Sequence, residues 1–497
     1  MSYLGVDHVR DAAPNPAHDA HGQAHYAQAA AQGINFTFFA DGSVDPYTQV
    51  ARIRAIEQGT PGSVTSIEGP NEVNNWPVHY QGQGGTAGAQ AYMRDLFNAV
   101  QADPLLRDIT VTGFTDWPFH ASTSDASTVH PYPKNGDQPY GQIMRDMYDQ
   151  NAVDPGKEFF INEIGYHTRI NSSGGWEGVS EAAQAKLVLN TYMDGMLLGA
   201  KQTYIYQLLD AYAGDSQEEH FGLFRLDNSP KPAATAIHNL TTILADTAGN
   251  ASNFGTHTLD FTVTNAPDTV NTVLTEKSNG SFQLITWAEP DIWNQDTNQD
   301  INVASKTETI SFGQRFNTVE IFDPLVGTSA IQTFHNVNSV NVDVSDHPLI
   351  VQLSGGGAAS APAGAATVPA APSVSVNVDT QPLSLSVNVG PDTMALRISQ
   401  DAWQGDAQYT VKVDGTQIGD VFTAKARHGG ESDTLTLHGN WGGGQHKVAV
   451  EFLNDAYAGT ADTDRNLYVD NIIYNGAGHP ELARTMFTAG SYEYAFN

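Results

Sequence analysis

The chain has 497 residues, with 23 Lys plus Arg against 55 Asp plus Glu, a formal net charge of −32 and no cysteine. So acidic a surface repels phosphate backbones and anionic lipid, which excludes nucleic acid and membranes as working partners; without thiols there are neither disulfides nor thiolate metal sites. At roughly 100–200 residues per domain this length predicts two to four domains, and no run reaches the roughly 18–20 apolar residues of a membrane helix or shows the basic-then-apolar pattern of an N-terminal leader.

In chain order, residues 1–248 alternate short apolar runs with helical patterns, the signature of βα units around a parallel sheet. Strands are predicted at 8–11, 34–39, 64–72, 109–114, 128–132, 158–163 and 203–208, with crossover helices at 47–57, 87–102, 140–151 and 179–198. Seven βα steps predict a (β/α)8 TIM-type barrel whose first βα unit is missing, since the residues before His8 are too few to supply it, unless another segment closes the wall. An unclosed barrel exposes backbone groups along two edges. His18, His21 and His25 lie at helical spacing, but the surrounding Ala, Asn, Asp, Gln and Pro predict a solvated or sugar-contacting loop rather than a metal site.

From 249 to 354 the helical signal gives way to strands at 258–263, 270–275, 282–287, 307–311, 318–322 and 349–353, read as an accessory β-sandwich. Within it Asp296 to Asp300 opens like a calcium loop but lacks the following glycine and the late glutamate, which predicts a polar hairpin tip. Residues 355–373 form a Gly/Ala/Pro linker. A second β-sandwich spans 374–476, with strands at 375–378, 383–389, 393–399, 408–413, 432–438, 446–452 and 467–474. Residues 477–497 are a tail, either an export signal or a frayed end.

Two segments carry the chemistry. Ile67-Glu68-Gly69-Pro70-Asn71-Glu72 and Phe159-Phe160-Ile161-Asn162-Glu163-Ile164-Gly165-Tyr166 each bring an asparagine-preceded glutamate to the end of an apolar run. Cleaving a glycosidic bond takes two carboxyl groups, one protonating the leaving oxygen and one attacking the anomeric carbon or activating water. Both glutamates fall at the C-terminal ends of predicted barrel strands, where the active sites of such barrels lie. The pattern resembles the clan A glycoside hydrolases, of the family 39 and family 5 kind, on Asn71, Glu72 and Glu163 together with His8-Val9-Arg10-Asp11, His130-Pro131-Tyr132 and Tyr204-Ile205-Tyr206-Gln207. The resemblance implies a retaining double displacement without a catalytic cofactor: Glu72 as acid/base, Glu163 as nucleophile kept ionised by Arg10 and oriented by Tyr132, Asn71 on the sugar 2-hydroxyl, and His130 in the substrate site. The acid is expected to hold its proton through desolvation and a neighbouring carboxylate. Trp76, Trp117, Tyr166 and Trp176 are aromatic subsite candidates. Where many clan members end the last strand in tryptophan, this chain has Tyr206, Gln207 and Leu208.

Beyond the linker, Trp403-Gln404-Gly405-Asp406-Ala407, Gly415 to Gly419, Asn454-Asp455-Ala456-Tyr457 and Asp464-Arg465-Asn466-Leu467-Tyr468-Val469-Asp470 resemble the calcium-dependent xylan-binding modules of families 36 and 60. The resemblance implies a calcium site drawn from Asp401, Asp406, Asp455, Asp462 and Asp464, with Trp403 and Tyr457 contacting sugar; the alternative is that these are hairpin-tip aspartates. The whole reads as a monomeric, extracellular or cell-surface hydrolase of a β-linked polysaccharide, xylan favoured. The alternative is a non-catalytic carbohydrate-binding adhesin with a degenerate barrel.

Overall fold

In the computed structural model, strands β1 (His8–Ala12), β2 (Asn35–Ala40), β3 (Val64–Pro70) and β4 (Thr110–Thr112) run parallel in that order. A second parallel ladder follows, β5 (Ser127–Val129), β6 (Phe159–Ile164) and β7 (Thr203–Ile205). One bridge, Thr112 to Ala126, joins the two. The structure describes all residues except 17–21, 173, 174, 211, 248–253, 256, 268, 357–391, 429–431, 440, 442–445, 459–462, 475, 476, 479–482 and 497. The chain falls into two units: Met1–Ala245 with Asp291–Val303 and Phe322–Ala330, and Asp246–Pro290 with Ala304–Ile321 and Ile331–Asn497.

Strand alternation sorts the first unit into an apolar wall and a polar interior. On β2, Phe36 and Phe38 are buried in a core shared with Val50, Ile53 and Ile56 of helix α2 (Pro46–Gly59) and Tyr92, Met93 and Leu96 of helix α3 (Gly85–Ala102). Thr37 between them turns the other way and meets Ser66 Oγ at 2.5 Å and Tyr204 Oη at 2.7 Å. Helix α2 starts where Asp45 accepts from Thr48 N and Pro46 fills the first turn. Helices α4 (Pro139–Val153) and α5 (Glu181–Leu197) complete the crossovers seen in sequence, and Ser180 caps the latter by accepting from Ala183 N. Two helices escaped the sequence reading. Helix α1 (Gly22–Ala30) holds His25 where a loop was expected, while His18 and His21 lie outside the described residues. Helix α6 (Pro232–Leu244) follows the last strand.

Among the described residues no ladder joins β7 to β1, so the wall is seven strands with one seam. Lys231, at the N-cap of α6, lies buried beside the loop after β7: its Nζ meets Asp210 at 3.0 Å, Thr168 Oγ1 at 3.1 Å and His220 O at 3.2 Å.

The next β-region is a set of six hydrogen-bonded strands around one apolar core. Strands β8 (Phe261–Thr264), β9 (Val270–Glu276), β10 (Phe282–Ala288), β11 (Lys306–Phe322), β12 (Gln332–Val344) and β13 (Leu349–Ser354) form one antiparallel sheet, ordered β8-β11-β13-β10-β9 with β12 also on β11. The two predicted strands at 307–311 and 318–322 are a single long strand interrupted by a register shift between Ser311 and Phe316. Asp296 to Asp300 lies at a hairpin, where Asn294 Oδ1 accepts from Asp296 N and Thr297 N.

The last region is a two-sheet sandwich. Strands β14 (Asp392–Asp401), β17 (Asp433–Gly439) and β19 (Asp464–Tyr474) make one sheet in the order β17-β14-β19; β15 (Gln408–Val413), β16 (Thr416–Thr423), β18 (His446–Phe452) and β20 (Gly490–Phe496) make the other in the order β16-β15-β18-β20. Most of the predicted linker, and the strands expected at 375–378 and 383–389, lie outside the described residues. The expectation of a tail over 477–497 is overturned: β20 pairs residue for residue with β18, from Gly490 opposite Phe452 to Phe496 opposite His446, and Tyr494 is buried in the core. Removing residues 490–497 is therefore expected to unfold this sandwich, and Tyr494→Ala to cost about 3 kcal/mol, read from the denaturant midpoint of the full chain; an unchanged midpoint would make the segment a dispensable tail.

Candidate active site

Strands β1, β3 and β6 converge on one guanidinium. Arg10 Nε and Nη2 fork onto the two oxygens of Glu68 at 2.6 and 2.9 Å, Nη1 reaches Glu163 Oε2 at 2.7 Å, and Nη2 also meets Asn71 Oδ1 at 2.5 Å. The ring of Phe39 lies beneath, 4.5 Å from the guanidinium carbon. Glu68 is wholly buried, and burial alone would raise its pKa; Arg10 and His130 win, holding it below the ordinary carboxylate value. For Arg10 likewise, burial lowers the pKa but the carboxylates carry it above its usual value.

Glu163 stands on β6 with both oxygens engaged, Oε2 by Arg10 and Oε1 by the Tyr132 hydroxyl at 2.6 Å. Burial and the Glu163 charge push the Tyr132 phenol well above its usual value, so it stays a donor. Glu72 follows β3 in a left-handed backbone conformation, φ 41°, its amide donating to Thr115 Oγ1 at 2.7 Å. Its Oε1 lies 3.2 Å from His130 Nδ1 and its Oε2 accepts from Asn75 Nδ2 at 3.0 Å. The His130 hydrogen bond outweighs desolvation, so the Glu72 pKa is lowered. This reverses the sequence expectation of an acid raised by burial and a neighbouring carboxylate: the ionisable partner in contact with it is an imidazole, which favours the charged carboxylate.

Oxygens of Glu72 and Glu163 and a nitrogen of His130 lie within 4.8 Å of one another. Three such atoms could in principle take a metal ion, but Arg10 already supplies the positive charge, touching Glu163 and lying 3.4 Å from His130 Nε2. The cluster opens into a cavity of about 1170 Å³ that continues along the seam, between Val6 and Val9 on one side and Gln202 and Tyr204 on the other.

The aromatic candidates divide. Trp76, 71% exposed, and Trp176 line the cavity, as do Tyr132 and Tyr206. Tyr206 donates to Glu218 Oε2 at 3.2 Å, and the peptide bond after it is cis. Trp117 is exposed and packs edge-on against Phe119. Tyr166 is a correction: it is buried, its hydroxyl donating to Asp137 O at 2.9 Å, so it supports the loop instead of facing sugar. Sequence reasoning missed Phe221, whose ring lies 5.7 Å from Tyr132 and 5.2 Å from Tyr206, and His167, which burial drives down to about 4 and which bonds Trp176 O at 3.0 Å. It also missed Glu68, although a lone acid inside an apolar strand was a readable signal.

In the C-terminal sandwich, Arg465 ties two loops together, donating to Trp403 O, Gln404 O, Gly405 O and Asn454 O at 2.6–3.0 Å. Asp401 sits opposite Asn466, and Tyr457, 63% exposed, sits opposite Asp464. Among the described residues Asp455 Oδ1, Asp464 Oδ1 and Asn466 Oδ1 are each buried without a hydrogen-bond partner, and oxygens of this kind suit a hard cation. Asp406 accepts from Lys425 Nζ at 2.6 Å and Gln400 Nε2 at 2.9 Å, and Asp401 Oδ2 accepts from Asn466 Nδ2 at 3.2 Å and from the Tyr468 hydroxyl; Asp462 lies outside the described residues.

Residues 393–489 match one family. It is carbohydrate-binding module family 60, described as calcium-dependent and xylan-binding. No curated protein matches the chain. Among solved structures it is similar to a family 39 glycoside hydrolase from the gut symbiont Bacteroides cellulosilyticus WH2, with 12% identity over 71% of this chain and 76% of that one at a TM-score of 0.47. It is also similar to a β-glucuronidase from Ruminococcus gnavus (14% identity, 48% of this chain, 44% of that chain, TM-score 0.34) and to Bacteroides uniformis β-glucuronidase 2 (9%, 99%, 61%, 0.35). The chain thus spans less than half the length of the Ruminococcus enzyme. At these scores the chemistry has to be argued from the site itself.

Replacing Arg10 with Met leaves Glu68 charged and buried with only His130, 3.8 Å away, as ionic partner, so a loss of about 3–5 kcal/mol is expected in denaturant unfolding. Arg10→Lys should recover only part of it, because an ammonium cannot fork onto Glu68 while reaching Glu163 and Asn71.

Proposed function

We propose that the protein is a retaining glycoside hydrolase acting on a β-linked polysaccharide, with Glu163 as nucleophile and Glu72 as acid/base. One observation carries the reading: one oxygen of Glu72, just past β3, and one of Glu163, on β6, lie within 4.8 Å of each other while the two carboxylates take different polar partners. Retaining enzymes hold these groups about 5–5.5 Å apart, whereas inverting enzymes leave about 6.5–9.5 Å for a water. Glu163, fixed by Arg10 and Tyr132, attacks the anomeric carbon as Glu72 gives a proton to the departing glycosidic oxygen. Water then attacks the glycosyl-enzyme bond, returning its proton to Glu72 and freeing Glu163. Asn71 turns its amide oxygen to Arg10, leaving its NH2 for the sugar 2-hydroxyl. Trp76 and Trp176 offer faces for neighbouring sugars.

The substrate we favour is xylan, supported by the family matched at 393–489, as is an extracellular location. In that module Asp401, Asp455, Asp464 and Asn466 would hold calcium, beside Trp403 and Tyr457 as sugar contacts. The adhesin alternative draws on the seam between β7 and β1, but a scaffold without chemistry has no use for three carboxylates, an arginine and an imidazole gathered at such desolvation cost.

Glu163→Ala is expected to abolish reducing-sugar release from xylan, and Glu72→Ala to slow it about 10²–10⁴-fold while sparing aryl glycosides with good leaving groups. Azide should rescue Glu72→Ala with a glycosyl azide of retained configuration and Glu163→Ala with the inverted one. Indifference to both substitutions would transfer the chemistry to other groups. Calcium at about 100 times its dissociation constant should stabilise the module by about 2.7 kcal/mol, measured by differential scanning calorimetry of the full chain against chelator. The shift should vanish in Asp455→Asn/Asp464→Asn; an identical trace with and without chelator would remove calcium from the account.

A further inference from the structure

Glu72 is the group that must deliver a proton, yet its surroundings favour the carboxylate, and the nearest base is the buried imidazole of His130. We propose that the proton used for leaving-group departure is stored on the His130–Glu72 pair, with buried Glu68 as the fixed counter-charge that keeps it there. The inference rests on the reading of Glu72 as acid/base and assigns His130 a role it does not have in that reading.

The geometry is a short chain of charge. His130 follows β5, and its Nδ1 lies 3.2 Å from Glu72 Oε1 while its Nε2 lies 3.8 Å from Glu68 Oε1. Its side chain and that of Glu68 are 7% and 0% exposed, so water screens neither. The other charges facing it are Glu163 from β6, Arg10 from β1, with Nη2 3.4 Å from Nε2, and Asp146 from α4. Three carboxylates close to the ring against one guanidinium leave the cluster two negative charges in excess, and one proton on the pair halves that excess. Burial by itself would strip the imidazole of its proton; Glu163, Glu68 and Glu72 together carry it up to about 9.

The proton inventory then closes over the cycle. Glu72 protonates the glycosidic oxygen as the carbon–oxygen bond breaks and its electron pair goes to the leaving group, with the proton passing from His130 Nδ1 to Glu72 Oε1 and the ring becoming neutral. In the second half, water attacks the anomeric carbon, the ester bond to Glu163 breaks, and the water proton returns through Glu72 to His130. The acid's apparent pKa becomes a property of the pair instead of a carboxyl group. The competing arrangement has His130 neutral, its Nε2 accepting from Arg10, and the proton on Glu72 alone.

Two readouts separate these. In the full chain labelled with 15N-histidine, an imidazole resonance absent from His130→Gln is expected to titrate above about pH 8 in the wild type and to fall by more than one pH unit in Glu68→Gln. Should Glu68→Gln fail to fold, the wild type against His130→Gln decides alone. In kcat/KM on an unactivated substrate, His130→Gln should move the alkaline limb down by at least two pH units, about 100-fold at pH 8, with activity near pH 5 within about tenfold of wild type. A His130 resonance titrating at or below about 6.5, or a variant slowed equally at every pH, would overturn the proposal. A chain with no glycosidase activity would sink the enzymatic reading, and the resonance would still decide where the proton resides.

Discussion

The site depends on one cation. In a chain with net charge −32, Glu68, Glu72 and Glu163 sit around a single guanidinium, and the arrangement is tolerable because Arg10 distributes its donors over Glu68, Glu163 and Asn71 at once. Each bond also fixes a strand. Arg10 is paired with Thr37 on β2, Glu68 with Thr112 on β4, and Glu163 lies on β6 in the other parallel ladder. The same ion pairs that neutralise the carboxylates therefore set the distance between strands that no hydrogen-bond ladder connects directly. Lysine, a point charge, could not do this.

What the sequence made legible follows from what periodicity reports. Short apolar runs alternating with helical patterns placed all seven parallel strands, and the doublets Asn71-Glu72 and Asn162-Glu163, each common by chance alone, stood out because two of them fall in strand order together with Arg10 and His130-Pro131-Tyr132. The same alternation contained Glu68, on the interior-facing parity of β3 with Ser66, but a single acid in an apolar run competed with the more visible doublet four residues on. Tyr166 was misplaced for a different reason. Past the end of β6 no period applies, and an aromatic that seals a loop from beneath has the same local sequence as one that lines a cleft.

The β-regions failed in instructive ways. Gly313-Gln314-Arg315 broke the apolar alternation and split one strand into two, whereas the backbone absorbs those residues between Ser311 and Phe316 without ending the strand. At the other end, Tyr492, Tyr494 and Phe496 alternate as a strand should, but their position at the terminus outweighed the pattern. Of the two missed helices, Gly22–Ala30 is short and alanine-containing with no strong apolar stripe, whereas Pro232–Leu244 buries a stripe of Ile237, Leu240 and Ile243 that the sequence does show after the last strand.

The seam and the active site are physically linked. A closed barrel fills its interior with side chains, but here the cavity runs from Glu72 and Glu163 to Gln202 and Tyr204, so water or substrate can reach the flank of the cluster as well as its mouth. Such access would weaken every charge–charge interaction that solvent can screen. The groups that set protonation are the more buried ones: Glu68 has no exposed side-chain surface, and His130 and Arg10 have 7% each although Arg10 lines the cavity from β1, whereas Glu72, which must meet the leaving group, has 27%. Charge control is thus buried and proton delivery is exposed. That division lets a wall with an unpaired edge keep a defined electrostatic centre, because Glu68 and His130, which decide where the proton sits, do not line the cavity that runs along the seam.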